Sequence, residues 1–351
     1  MKEFLKRVIT DKDKSMAGSA LKPFLWLLSW LYTGAVVLKR WLYHVGVMKV
    51  HKAGCPVISI GNITAGGVGK TPLVIFMAEF LRKRGLKPVI LTRGYMGRAP
   101  MAESDEAKML AERLGGVTVM VDPDRVRATI KAEQRSPVDV FVLDDGFQHW
   151  RLKRDLDLVA IDATDPFGNG RLLPRGLLRE PLSALKRADL FILTKTDIGH
   201  QHVPRLRSVL HKINPRCGIV ETVHAPVAIV NILTGERSAE LSLLKDRMAA
   251  MCAIGSPDSF AGTLKAQGAQ VERLFAFDDH YVYDAGDVTD IVRFCVERKI
   301  SKVVTTHKDA VKIRAFSSMF SGVSFLVLEI DIKVTYGENE LFSRIDRLLH
   351  P

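Results

Sequence analysis

Short apolar runs bounded by turn residues alternate along this chain with amphipathic stretches. Val57-Ile58-Ser59-Ile60 follows the turn at Gly54-Cys55-Pro56 and reads as a buried strand, and the apolar stretch from Leu73 to Leu81 reads as a helix ended by Gly85. Further strands are expected at Pro88–Thr92, Val138–Leu143, Leu156–Ile161 and Leu190–Thr194. Strands apolar throughout, separated by helices, predict a mostly parallel sheet with helices on both faces. From about Ala225 the elements shorten, with strands expected at Val227–Ile232, Met248–Ile254, Lys302–Thr306 and Phe325–Ile330. The expected layout is a helical segment over 1–50, a main α/β domain over 51–224 and a smaller α/β domain over 225–351 that closes over it.

The N-terminal pattern differs from the rest. From Pro23 to Leu38 there is no charge, and the run carries Phe24, Trp26, Trp30 and Tyr32, with Lys22 before it and Lys39 and Arg40 after it. A span needs about 20 apolar residues, and this run is shorter. Trp41, Leu42 and Tyr43 follow it where a signal peptide would present small residues for cleavage. Of the net charge of +12, residues 1–52 contribute ten Lys or Arg against three acids. Tryptophan and tyrosine favour the headgroup region and basic residues favour anionic lipid. The segment is therefore expected to be a shallow monotopic membrane anchor. It is a poor reader of nucleic acid, because its aromatic residues sit inside an apolar run and not in a polar groove.

With 351 residues, 47% of them hydrophobic, the chain can bury one large core or two ordinary ones. Cys55, Cys217, Cys252 and Cys295 are far apart and form no C-x-x-C pair, so they read as free structural thiols in a reducing compartment.

The strand Val57–Ile60 runs into Gly61-Asn62-Ile63-Thr64-Ala65-Gly66-Gly67-Val68-Gly69-Lys70-Thr71. Strand, glycine-rich loop and helix in this order let backbone N–H groups and a helix N-terminus surround phosphate oxygens, a P-loop NTPase-like arrangement. Residues 64–71 are the candidate nucleotide-binding loop: Lys70 would neutralise the β- and γ-phosphates and the Thr71 hydroxyl would bind Mg²⁺. Thr64 stands where such loops usually have their first glycine. The second half of the site is expected at Asp144-Asp145-Gly146, after the apolar run ending at Leu143, where one carboxylate would hold the metal directly or through water. Thr194-Lys195-Thr196-Asp197 looks like the T-K-x-D element with which GTP-binding proteins read guanine.

Several segments together resemble the tetraacyldisaccharide 4′-kinases, the lipid A 4′-kinases of Gram-negative bacteria. The matching pieces are Ile60-Gly61-Asn62 with Gly66 to Pro72, Thr92-Arg93-Gly94-Tyr95, Ser104-Asp105-Glu106, Asp124-Arg125, and Leu143-Asp144-Asp145-Gly146-Phe147-Gln148-His149. They continue with Gly170 to Pro181, Asp279-His280-Tyr281 and Lys308-Asp309-Ala310-Val311-Lys312. The resemblance spans residues 20 to about 330 and keeps its order.

It implies transfer of the γ-phosphoryl group of ATP, with Mg²⁺, to the 4′-hydroxyl of a tetraacylated glucosamine disaccharide 1-phosphate at the cytoplasmic face of a bacterial inner membrane. It also implies an Asp–His pair that activates the hydroxyl, matched here by Asp105 and His280, which the expected layout sets on opposite sides of an interdomain cleft. Arg93, Tyr95, Glu106, Arg125, Gln148 and Glu180 are further candidates by the same motifs, Arg125 for a phosphate and Glu180 for a sugar hydroxyl or the metal.

The chain departs from the family pattern in a shortened stretch of nine residues between Tyr95 and Asp105, in Ala107, in Tyr281 and in His307. Two other classes share parts of the pattern. A membrane-docked regulatory ATPase would carry a second lysine where this chain has Ala65, and a GTP-dependent metallochaperone would need a Cys or His cluster that the sequence does not show.

Overall fold

The structure is a computed structural model that describes residues 2–94, 105–279 and 281–349. The chain opens with α1 (Lys2–Ile9) and α2 (Met16–His44), followed by β1 (Val57–Gly61), α3 (Lys70–Lys83), β2 (Pro88–Thr92), α4 (Asp105–Arg113) and β3 (Thr118–Val121). Next come α5 (Arg125–Arg135), β4 (Val140–Asp144), β5 (Leu156–Asp162), β6 (Leu190–Thr194), α6 (Val203–Ile213), β7 (Gly218–Asn231) and β8 (Arg237–Ser238). The last elements are β9 (Arg247–Cys252), α7 (Pro257–Ala266), β10 (Gln270–Ala276), α8 (Ala285–Glu297), β11 (Lys302–Thr306), α9 (His307–Ile313), β12 (Ser324–Tyr336) and α10 (Glu338–Leu349).

Contacts divide the chain into two compact units. One comprises Met1–Arg93, Asp122–Val223 and Val334–Pro351, and the other Gly94–Val121 and His224–Lys333. The units are therefore interleaved in sequence. Residues 94–121, expected in the main domain, group with the later unit, and residues 334–351, expected in the smaller domain, group with the first.

In the first unit β1 lies between β4 and β5, β2 pairs with β4, β6 with β5, and the start of β7 with β6, all parallel. Strands β1, β2, β4, β5 and β6 are buried along their whole length. That burial on both faces is why each reads in the sequence as a continuous apolar run. Because the strands are parallel, Gly61, Asp144, Asp162 and Thr194 all end at one edge of the sheet, where open α/β sheets bind ligands. Helix α10 belongs here because it buries Leu341 and Ile345 and stacks Phe342 on Phe80 at 4.4 Å, beside an Arg84–Asp346 ion pair.

Helix α2 is 29 residues long, started by the Ser15 side chain accepting from the Gly18 amide. It extends beyond the uncharged run at both ends. Only Gly18, Leu25 and Ser29 are buried along it, while Phe24, Trp26, Trp30, Leu31 and Trp41 are exposed.

The second unit is built on β9, paired in parallel with β10 and β11, with β12 beside β11. Alternate residues of β9 face opposite cores: Ala249 and Met251 pack with Ile291, Cys295 and Phe325, and Met248 and Ala250 with Phe260, Leu264 and Leu326. Strands β3, β8 and β10 were not expected. Residues Gln270–Ala276 of β10 are mostly exposed and carry charges, so they lack the apolar signature of a buried strand.

Candidate active site

The phosphate loop is shaped by its neighbours on both sides. Gly61 is required because a Cβ there would lie 2.5 Å from the Phe147 amide nitrogen. The buried Asn62 side chain donates to Thr64 O at 2.6 Å and Thr64 Oγ1 at 3.2 Å, and its Oδ1 accepts from Lys70 Nζ at 3.0 Å. Thr64 pairs antiparallel with Leu178, Ala65 N donates to Leu177 O at 2.7 Å, and Arg179 N donates to Ile63 O at 2.7 Å. Gly69, with φ +84°, is the N-cap of α3 and supplies no side-chain acceptor. The first N–H groups of α3 thus have no capping side chain, and a helix N-terminus in that state favours an anion. Gly66 and Gly67 are exposed at the crest of the loop and Val68 is buried beneath it.

Lys70 lies against one of the two acids that follow β4. Asp144, buried at the end of β4, accepts from Thr92 Oγ1 at 3.2 Å. Asp145 follows in a left-handed conformation, φ +53°, and lies 3.3 Å from Lys70 Nζ, while Arg179 donates to both of its carboxylate oxygens at 2.9 Å. Burial alone would raise its pKa, but Lys70 and Arg179 overcome this and hold it below the usual carboxylate value. Arg179 also donates to Gln148 Oε1 at 3.1 Å, and Gln148 Nε2 donates to Asn62 O at 2.8 Å and Glu180 Oε1 at 3.1 Å. The buried Glu180 carboxylate is held in turn by Arg187 at 2.9 and 3.1 Å, so in this structure it serves to brace Gln148.

Arg125 is buried near these acids and donates to Pro123 O at 3.2 Å, and its Nε has no partner among the described residues. Burial lowers its pKa, Asp144 and Asp145 raise it, and the nearby Arg93 lowers it. A buried guanidinium with a donor to spare beside a phosphate loop suits a phosphate oxygen. Arg93 itself is exposed, just past the end of β2.

The Thr194–Asp197 element grips the loop. Thr194 Oγ1 donates to Val68 O at 2.8 Å. Lys195, buried with φ +56°, donates to Gly67 O at 3.2 Å and forms an ion pair with Asp162. Asp197 is exposed. Asn62, Asp162, Lys195 and Arg179 escaped the sequence reading as site residues. Asn62 and Arg179 stood inside the matching motifs, and Lys195 inside the T-K-x-D element, without a sign of what each would touch.

Hard oxygen donors suit Mg²⁺, which needs only one or two protein carboxylates when phosphates supply the rest. Thr71, Asp144 and Asp145 provide such donors, and the described residues contain no group of three or more His, Cys, Asp or Glu that would make an all-protein cage.

Other candidates lie in the second unit. Asp105 and Glu106 open α4, and α4 packs on α9. There Glu112 meets His307 at 3.7 Å and Arg314 at 3.3 Å, and Arg113 meets Asp331 at 2.7 Å. The side chains of Asp105 and Glu106, and all of Tyr95 and His280, lie outside the described residues. The neighbours of His280 are anchored: Lys308 Nζ meets Asp279 at 3.0 Å, and Lys312 Nζ donates to Tyr281 O at 2.9 Å. The backbone of Asp105 and the residues flanking His280 therefore belong to one unit. This corrects the expected layout, which set the two on separate domains, and the cause is the packing of α4 on α9.

A glycine-rich loop between a buried strand and a helix, its lysine facing an acid at the end of the neighbouring parallel strand, defines a P-loop-like α/β nucleotide-binding protein. The family model described as tetraacyldisaccharide-1-P 4′-kinase matches residues 21–350, and the chain belongs to that family of kinases. A tetraacyldisaccharide 4′-kinase of Halothermothrix orenii is 34% identical over 367 residues, covering 95% of each chain. One of Anaeromyxobacter dehalogenans is 39% identical over 326 residues, covering 88% of this chain and 86% of its own. The crystal structure of the "apo" form of LpxK from Aquifex aeolicus in complex with ATP matches with a TM-score of 0.71 at 27% identity, covering 95% of this chain and 99% of that one.

Proposed function

We propose that the protein transfers the γ-phosphoryl group of ATP to the 4′-hydroxyl of a tetraacyl glucosamine disaccharide 1-phosphate, a step of lipid A biosynthesis. The observation that carries this reading is the Lys70–Asp145–Arg179 cluster at the mouth of the phosphate loop, within a chain of this kinase family. The uncapped N-terminus of α3 and the loop N–H groups receive the phosphates. Lys70 exchanges its pairing with Asp145 for the β- and γ-oxygens, and Arg125 offers its unpaired Nε to a phosphate oxygen. Mg²⁺, held by Thr71 and by Asp144 or Asp145, would neutralise charge on the transferring group. The sugar oxygen forms its bond to the γ-phosphorus as the bond to the ADP oxygen breaks, and the hydroxyl proton passes to the Asp105–His280 pair. Arg93, Tyr95, Glu106, Gln148 and Glu180 are assigned supporting roles around substrate and loop.

The acceptor is a lipid, and α2 supplies the means to reach it. Its uncharged stretch, Pro23 to Leu38, covers roughly 24 Å at 1.5 Å per residue, short of the roughly 30 Å hydrocarbon core. Its inner face is hydrogen-bonded to a loop that carries Arg171, Arg175 and Arg179: Ser29 Oγ donates to Leu172 O at 2.7 Å and Tyr32 OH donates to Arg179 O at 2.9 Å. A spanning helix would drag that loop into lipid, whereas a helix lying at the surface would immerse Phe24, Trp26, Trp30 and Leu31 and leave the loop in water. The reading is accordingly of a monotopic enzyme at the membrane surface, on the cytoplasmic face of the inner membrane.

The test is transfer of labelled γ-phosphate to the tetraacyl disaccharide 1-phosphate in detergent micelles. Labelled lipid is expected from the intact protein, with a loss of about a hundredfold or more for Asp105→Ala. Nucleotide hydrolysis without labelled lipid would overturn the reading.

A further inference from the structure

The loop that receives α2 is the same loop that shapes the phosphate site. Ser29 Oγ donates to Leu172 O and accepts from Arg175 N at 3.1 Å, while Asp11 accepts from Arg175 at 2.8 Å and pairs with Lys22 at 2.9 Å. The loop then pairs with the phosphate loop through Leu177, Leu178 and Arg179. Arg179 is engaged in three directions. Its carbonyl accepts from Tyr32 of α2, its amide donates to Ile63 of the phosphate loop, and its guanidinium holds the Asp145 that faces Lys70. From the helix to the catalytic lysine every link is a direct contact, with no solvent gap.

Helix α2, by contrast, has a sparse hold on the body. Three of its 29 residues are buried, and its outer face is apolar and exposed. It is held on the body by half-buried residues such as Leu28, Val36 and Tyr43 and by a few hydrogen bonds, of which those of Ser29 and Tyr32 reach the loop that pairs with the phosphate loop.

We propose that Tyr32 is a positioning residue for the phosphate loop, through which docking of α2 on a lipid surface strengthens nucleotide binding. This rests on the membrane-docking reading above. A lipid surface that fixes α2 in the orientation seen here favours the Arg179 arrangement that the nucleotide also needs, so the two ligands are linked and the linkage is reciprocal. The consequence is a kinase that binds ATP better where its acceptor resides, and less well in the aqueous phase, where hydrolysis would be the only outlet.

The test uses the full chain, Mg²⁺ with a non-hydrolysable ATP analogue, and vesicles of phosphatidylglycerol and phosphatidylethanolamine that lack any disaccharide lipid. Vesicles are expected to tighten the analogue Kd of the wild type about fivefold, near the lower end of typical couplings, and the analogue is expected to tighten vesicle binding by the same factor. Tyr32→Phe, which keeps the ring, is expected to float with the vesicles and to melt at the wild-type Tm but to lose both effects. Ser29→Ala should lose part of them. Vesicle binding by the wild type with no change in analogue affinity overturns the proposal alone, as does full coupling in Tyr32→Phe. Failure of the wild type to float overturns the docking reading and the proposal with it.

Discussion

Arg179 grips both carboxylate oxygens of Asp145 at 2.9 Å, and the same carboxylate faces Lys70 at 3.3 Å. With two cations on one acid, Lys70 is only partly neutralised and is held at the loop, ready to exchange a carboxylate for phosphate oxygens. Removing Arg179 leaves Asp145 to lean on Lys70, a pairing that competes with the nucleotide. Arg179→Met is therefore expected to raise the ATP KM about tenfold or more, the scale of a charge-assisted hydrogen bond, with less effect on the KM for lipid. Arg179→Lys should restore part of the loss, because the contacts to Asp145 and Gln148 all come from the one nitrogen Nη1, a point donor that an ammonium can replace in kind. Steady-state kinetics with each substrate varied in turn decides it.

The central strands and the phosphate loop were legible because their signals are local. A strand buried on both faces must be apolar at every position, and a loop that wraps phosphate must have glycines where φ is positive, as at Gly66 and Gly69. What stayed hidden depends on distant pairing. Nothing in the Arg179 neighbourhood indicates that its side chain reaches back 34 residues to Asp145 while its carbonyl meets a helix 147 residues earlier. The interleaving of the two units was equally silent. Residues 105–113 look like any amphipathic helix, and it is their packing on α9, with the ion pairs of Glu112 and Arg113 to residues 307–331, that places them in the second unit.

His149 should set part of the acid sensitivity of the first unit. Burial, together with the charges of Arg125 and Arg154, pushes its pKa down from 6.5 to about 4, and its Nε2 is buried without a partner among the described residues. The folded chain thus holds a neutral imidazole where the unfolded chain would bind a proton. Its contribution is complete above pH 6.5 and is lost as pH falls toward 4, amounting to about 3 kcal/mol over that window. Urea unfolding from pH 7 to pH 4 should show a shallower acid decline in His149→Gln than in the wild type.

The four cysteines are free, and burial pushes their thiols up, to about 11 for Cys55 and Cys295 and about 12 for Cys217 and Cys252. Alkylation requires the thiolate. At pH 8 the native protein is expected to resist iodoacetamide over a time in which the urea-unfolded chain takes up four groups, counted by intact mass. Rapid labelling of the native chain would show that these thiols are not held as the structure has them.

Helix α9 braces both halves of the proposed Asp105–His280 pair. It packs against α4, which begins at Asp105, and its Lys308 and Lys312 hold Asp279 and the Tyr281 carbonyl on either side of His280. If Lys312 works by fixing the backbone that carries His280, Lys312→Met should lower kcat about tenfold, the loss expected from a modest misplacement of a proton acceptor. The KM for ATP should not change, because the phosphate loop is in the other unit. The same substitution made in His280→Ala should then cost almost nothing further, since a brace has no role once the braced group is gone. Two independent losses would multiply instead, and a multiplicative result would mean that Lys312 supports the fold of the second unit and not the position of His280.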